Sequence, residues 1–254
     1  MRVTVCQLHD EPDAFASDWT ALSAYVRRER SELVLLPEMA FGRWFAVTRP
    51  FDERRWREAI DAHQTWMPRI DELGAPTVIC TRPTERLGRR RNEMIVMTAD
   101  GARGVHDKRY LPDEDGYWEA TWYEAGDGVF EPFAIGEATL GAQICTEMWM
   151  LNESRQYGLR GVDVIVVPRV TPASSRERWL VGGRAAAMVS GAYCVSSNRS
   201  GISTGGDPFG GQGWIIHPDG DVLALTSDAE PFATRDIDLA QSAAAKSTYP
   251  RYVR

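Results

Sequence analysis

The chain has few cysteines, few histidines, no long apolar run and no excess of positive charge, and each shortage removes a class of protein. The four cysteines, Cys6, Cys80, Cys145 and Cys194, stand far apart with no C-x-x-C pair, which argues against a disulfide scaffold and a cysteine-ligated zinc site. His9, His63, His106 and His217 are scattered singly at no metal-ligand spacing, so no metal is expected. No segment approaches the roughly 20 apolar residues of a membrane span, and no membrane contact is expected. The opening MRVTVCQLHD carries Arg2 and Asp10 where a secretory signal needs uninterrupted apolar residues, so a reducing cytoplasm is the expected compartment. A net charge of −7 denies it the positive field that nucleic acid requires. The one basic cluster, Arg86 to Arg91, reads as a solvated hairpin turn. Neither G-x-x-x-x-G-K-[ST] nor a well-placed G-x-G-x-x-G occurs, so no phosphate-bearing cofactor is implied.

What is present is a globular α/β pattern. With 254 residues, 43% of them hydrophobic, burial alone suffices to hold a core. Short Val- and Ile-rich runs predict strands at Val3–Leu8, Leu33–Leu36, Thr77–Cys80, Met94–Met97, Gly141–Cys145, Val162–Val167, Tyr193–Ser196, Trp214–Ile216 and Val222–Ala224. Several are continuously apolar, as in sheets covered on both faces. Amphipathic spacing predicts helices over Asp18–Arg30, Asp52–Leu73 and Arg176–Gly191. No linker, composition shift or repeat divides residues 1–254, so one domain is expected.

Candidate chemistry collects where strands end. Gly201-Ile-Ser203-Thr-Gly205 matches a serine-nucleophile elbow, but the glycine-rich stretch after it cannot start the helix that motif needs. Leu33-Val-Leu-Leu-Pro37 runs into Glu38; a carboxylate at the mouth of a buried strand is partly desolvated and suited to base chemistry, although many strands end in charge for solubility. Lys108 sits on a short extended run before Pro112, and Glu119 follows within Tyr117–Gly126; either also reads as surface charge. Cys145 ends a strand, and the residues after it read as the start of a helix. Backbone N–H groups at such an elbow lower a thiol pKa from ~8.5 and hold a developing oxyanion, whereas an isolated buried cysteine would be structural.

Taken in order, Pro37-Glu38, Lys108 with Leu111-Pro112, Glu119, and Cys145 followed by an acid at Glu147 resemble the nitrilase superfamily of carbon–nitrogen hydrolases. Met1–Leu8, Val162–Pro168, Ala185–Asn198 and Gly213–Gly220 extend the resemblance over nearly the whole chain. It implies a four-layer αββα sandwich, assembled as a homodimer or larger homo-oligomer. It also implies roles: Cys145 as nucleophile, Glu38 as general base, Lys108 as the cation beside the tetrahedral oxyanion, Glu119 as the residue orienting Lys108 and substrate, and the Thr146 backbone N–H completing the oxyanion site. An amide carbonyl is a poor electrophile, so such a site needs a locally generated thiolate, fixed positive charge and a proton for the departing amine.

One departure bears on substrate. Where many amidases of this superfamily carry an arginine after the cysteine, this chain has Trp149, which argues against a carboxylate held there. Trp44, Trp118 and Trp149 lie close in sequence to these motifs and are candidates for an aromatic pocket wall, with core packing the alternative. Arg169, after the strand ending at Pro168, is a candidate substrate contact or a surface charge. A small amide or N-carbamoyl substrate is expected first. Nitrile hydrolysis is the alternative, disfavoured because the chain ends at Arg254 without the longer tail typical of nitrilases. A silent scaffold is disfavoured because all four catalytic positions are filled.

Overall fold

The computed structural model describes residues 1–253. Twelve strands and six helices follow in chain order: β1 (Arg2–His9), α1 (Pro12–Glu29), β2 (Leu33–Leu35), α2 (Glu53–Trp66), β3 (Thr77–Arg86), β4 (Arg89–Thr98), β5 (Gly101–Asp107), α3 (Glu119–Trp122), β6 (Phe133–Ile135), β7 (Ala138–Ala142), α4 (Leu151–Leu159), β8 (Val164–Pro168), α5 (Arg176–Ser190), β9 (Tyr193–Ser200), β10 (Trp214–Ile216), β11 (Val222–Leu225), β12 (Phe232–Asp236) and α6 (Leu239–Ala245). Two half-sheets result. One runs β5-β4-β3-β2-β1 with β12 on the far side of β1, and the other runs β6-β7-β8-β9 with β10 and β11 beyond. They join where Gln7–His9 of β1 turns from β12 to pair in parallel with Asn198–Ser200 of β9.

Alternation along the strands sorts residues between layers. Val3, Val5, Leu33, Leu35, Ile79 and Val96 share one core with Leu140, Val164 and Ile215 of the other half-sheet. Cys6, Leu8, Val34, Leu36 and Cys80 face outward and pack on Phe15, Trp19, Leu22 and Val26 of α1. On the opposite side α5 covers the second half-sheet closely: a Cβ at Gly183 would lie 2.9 Å from the Trp214 ring. The layers are therefore helix, sheet, sheet, helix, the four-layer sandwich expected from the resemblance.

Three boundaries differ from those the sequence predicts. α1 begins at Pro12, because the Glu11 carboxylate accepts from the Asp13 and Ala14 amides and proline suits the first turn. The predicted helix Asp52–Leu73 is α2 followed by a 3-10 segment, Met67–Leu73, since Pro68 lacks the N–H that would continue the α ladder. The basic cluster is mostly strand, with only Leu87-Gly88 forming the hairpin turn between β3 and β4.

Candidate active site

The C-terminal ends of β2, β5, β7 and β8 meet at one edge of the sandwich, and the singled-out polar residues lie there. Beyond β2, Glu38 N donates to Arg169 O at 3.2 Å and Met39 N to Thr81 Oγ1 at 2.7 Å. Met39 has φ +50°, a left-handed conformation costly for a side-chain-bearing residue. The Arg199 guanidinium holds this bend by donating to the carbonyls of Glu38, Met39 and Gly42, while its buried charge pairs with Asp10.

Lys108 follows β5 with its ammonium fully enclosed. Nζ donates to Glu38 Oε1 at 2.8 Å and to both Glu119 oxygens at 2.8 and 2.7 Å. Asn92 Nδ2 also donates to Glu38 Oε1, at 2.7 Å. Glu38 Oε2 has no hydrogen-bond partner among the protein atoms. Burial on its own opposes the Lys108 charge, but Glu119 and Glu38 outweigh it and hold the amine protonated. Burial likewise pushes the Glu119 carboxyl up, and Lys108 opposes that rise.

Cys145 stands beyond the end of β7 at φ +50° and opens a 3-10 turn, Cys145–Trp149, rather than the helix expected; α4 starts only at Leu151. The thiol is pushed up, not lowered as the elbow reading expects, because burial outweighs the nearby Lys108 and the Glu38 charge adds to it. The turn is tied down by Glu147, whose carboxylate accepts from Ile144 N at 2.7 Å, Arg109 N at 2.6 Å and His106 Nε2 at 2.8 Å.

Cys145 and Glu119 open onto a cavity of about 620 Å³, within the usual range for small-molecule sites. Thr146 and Trp149 line it, as does Trp179, which the sequence reading missed; the two tryptophan rings lie 5.3 Å apart. Asp113, Glu114, Asp115 and Arg178, all exposed, also line the cavity. Two expected substrate contacts lie elsewhere. Arg169 is buried, donating to Ser196 Oγ, Thr171 Oγ1 and Gln212 O and stacking 3.8 Å over Trp214, so it is neither a cavity contact nor a surface charge. Trp118 carries the Arg49 guanidinium 5.1 Å over its ring and is absent from the cavity lining. Trp44 is core packing, with Nε1 bonded to Gly116 O at 2.9 Å. Ser203 caps its own loop by accepting from Gly205 N and Asp207 N. Among the described residues no group of three or more His, Cys, Asp or Glu is placed to hold a metal.

Known proteins give this arrangement a context. A rice (Oryza sativa subsp. japonica) protein named N-carbamoylputrescine amidase is 29% identical over 156 residues, covering 55% of this chain and 51% of its own. The chain spans about half the length of the curated relatives it matches. A carbon-nitrogen hydrolase from Helicobacter pylori G27 superposes with a TM-score of 0.85 at 20% identity, covering 99% of this chain and 94% of the other. An amidase variant from Nesterenkonia sp. AN1, carrying the acetamide moiety of fluoroacetamide covalently at its active site cysteine, superposes at 0.80 with 17% identity, covering 98% and 94%. These structures share the fold, and the carbon-nitrogen hydrolase family model matches residues 2–247, so the chain belongs to that family.

Proposed function

We propose that this chain is a single catalytic domain that hydrolyses the carbon–nitrogen bond of a small amide or N-carbamoyl compound through a thioester on Cys145. The observation that carries the reading is the cavity-facing Cys145 thiol beside a buried Glu38–Lys108–Glu119 cluster in which one Glu38 oxygen has no partner. Glu38 Oε2 takes the thiol proton as sulfur attacks the carbonyl carbon. The resulting oxyanion is met by Lys108 Nζ and the Thr146 N–H. Collapse breaks the C–N bond, and Glu38 returns its proton to the departing ammonia or amine. Water then attacks the thioester with Glu38 again accepting a proton, and collapse of the second tetrahedral species releases the acid and restores the thiol.

The rice relative's name supports an N-carbamoyl amine among the substrates, and the three carboxylates at the mouth support a cationic group on the substrate. Nitrile hydrolysis would pass through the same thiol as a thioimidate. Glu147, the acid two residues after Cys145, is bonded to His106, Arg109 N and Ile144 N rather than lining the cavity and gives that reading no separate support. Four free, buried cysteines support a reducing compartment, and the exposed Val181 and Met188 on α5 support self-association. No described helix is long and apolar enough to cross a membrane. The reading is tested by ammonia release from matched panels of amides, N-carbamoyl amines and nitriles, with Cys145→Ala as control. Amide or carbamoyl turnover lost in Cys145→Ala is expected; turnover of nitriles alone would sink the amidase reading.

A further inference from the structure

Lys108 and Cys145 sit on different half-sheets, yet the proposed chemistry requires a fixed distance between the Lys108 ammonium and the carbonyl that the sulfur attacks. Glu147 bridges the two segments. Its Oε1 accepts from His106 Nε2 at 3.0 Å and Arg109 N at 2.6 Å; its Oε2 accepts from the same imidazole nitrogen at 2.8 Å and from Ile144 N at 2.7 Å. His106 and Arg109 bracket Lys108, while Ile144 and Glu147 bracket Cys145. The Glu147 side chain is wholly buried, and the His106 ring packs 4.8 Å from Phe130. Neither residue lines the cavity, and the contacts of Glu147 are to the two chain segments that flank it.

We propose that His106 is a positioning residue, and that the His106–Glu147 pair is a clamp setting Lys108 against the Cys145 turn. The inference rests on the proposed roles of Cys145 and Lys108. Two backbone amides are neutral donors, and the imidazole supplies the remaining contact to the buried carboxylate. The Cys145 backbone at φ +50° is strained and persists only where its surroundings over-determine it; Glu147, bonded to Ile144 N, is one of those constraints. Loosening the clamp lets the turn relax, and a displacement of about 1 Å at such a site costs on the order of 10²-fold in rate.

His106→Leu and His106→Gln are compared with wild type, counting competent sites by iodoacetamide labelling of Cys145 and expressing kcat per labelled site. Gln keeps an N–H donor near the position of Nε2; Leu keeps bulk alone. The expected result is a fall in kcat of about 10²-fold for His106→Leu with KM within about twofold, and a smaller fall for His106→Gln. A kcat per site within about fivefold of wild type for His106→Leu, or a loss carried by KM alone, overturns the clamp. If His106→Leu does not fold, His106→Gln decides by the same fivefold threshold. A Cys145-dependent enzyme indifferent to His106 removes the clamp only, whereas hydrolysis surviving Cys145→Ala removes the reading beneath it.

Discussion

Replacing Glu119 by Gln removes one of the two carboxylates around Lys108 while keeping the side chain's shape. Lys108 Nζ makes three short bonds, two of them to Glu119, and Gln can accept only one of that pair. Losing a charge-assisted bond costs about 1.5–3 kcal/mol, but burial already pushes the Glu119 carboxyl up, and a neutral amide escapes that penalty. The net stability loss should be about 1–2 kcal/mol, a few degrees in melting temperature for a chain of this size. The effect on turnover should be larger. With Glu119 neutral, the ammonium is balanced by Glu38 alone; that tighter pairing weakens Glu38 as a base and draws Nζ from the oxyanion. A loss of about 10²–10³ in kcat, or about 2.7–4 kcal/mol of barrier, is expected, with KM changed much less. Ammonia-release kinetics and thermal melting of the same preparation measure both. A folded Glu119→Gln enzyme with kcat within about threefold of wild type would refute the reasoning, since Glu119 would then be a bystander to Lys108.

Three further outcomes are expected. His63 is buried with Nε2 unpartnered, and burial lowers its pKa to about 3, so the fold holds the neutral ring. The unfolded chain binds the proton first, and stability should decline from about pH 6.5 downward by about 1.4 kcal/mol per pH unit until the folded value is reached. His63→Phe should remove that component, and a wild-type-minus-variant stability difference that stays flat between about pH 4.5 and 7 would contradict it. Asp113→Asn combined with Asp115→Asn should raise KM for cationic amides by about 3–10-fold while leaving neutral amides near wild type, as rim charges act through long-range attraction; equal effects on both would remove the charge argument. Arg199→Met takes the donors from the carbonyls of Glu38, Met39 and Gly42, leaves Asp10 a buried unpaired charge, and should cost about 3–5 kcal/mol. An unchanged urea midpoint would show the bend at Met39 to be held by other contacts.

How much of this was legible in the sequence depends on the range of the contacts. Glu38 and Cys145 stand out in the sequence because each follows an apolar run, a local signal, whereas Lys108 follows the largely exposed β5 and stands out only through its order with the other two. Arg169 was misplaced because an arginine after a strand-ending proline looks the same whether it turns outward or inward. Its inward turn is enforced by Trp214, Ser196 and Gln212, all distant in sequence. His106 was an unremarkable single histidine until the fold brought Glu147 to it, and Trp179 joined the cavity wall only because α5 packs beside the Cys145 turn. Strand β12 is short and half polar, and its partner is the first strand of the chain, beyond the reach of any local periodicity. The upward push on the thiol is not legible for the same reason: the elbow geometry is local, but enclosure by Glu38 and the surrounding core is not.

The thioester on Cys145 is the central claim, and intact-protein and peptide mass spectrometry during steady-state turnover of an amide substrate tests it most directly. A mass increase equal to the acyl group, located on the peptide containing Cys145 and absent from Cys145→Ala, is the expected result. Turnover with no adduct on Cys145 under rapid acid quench, or an adduct on another residue, would contradict it.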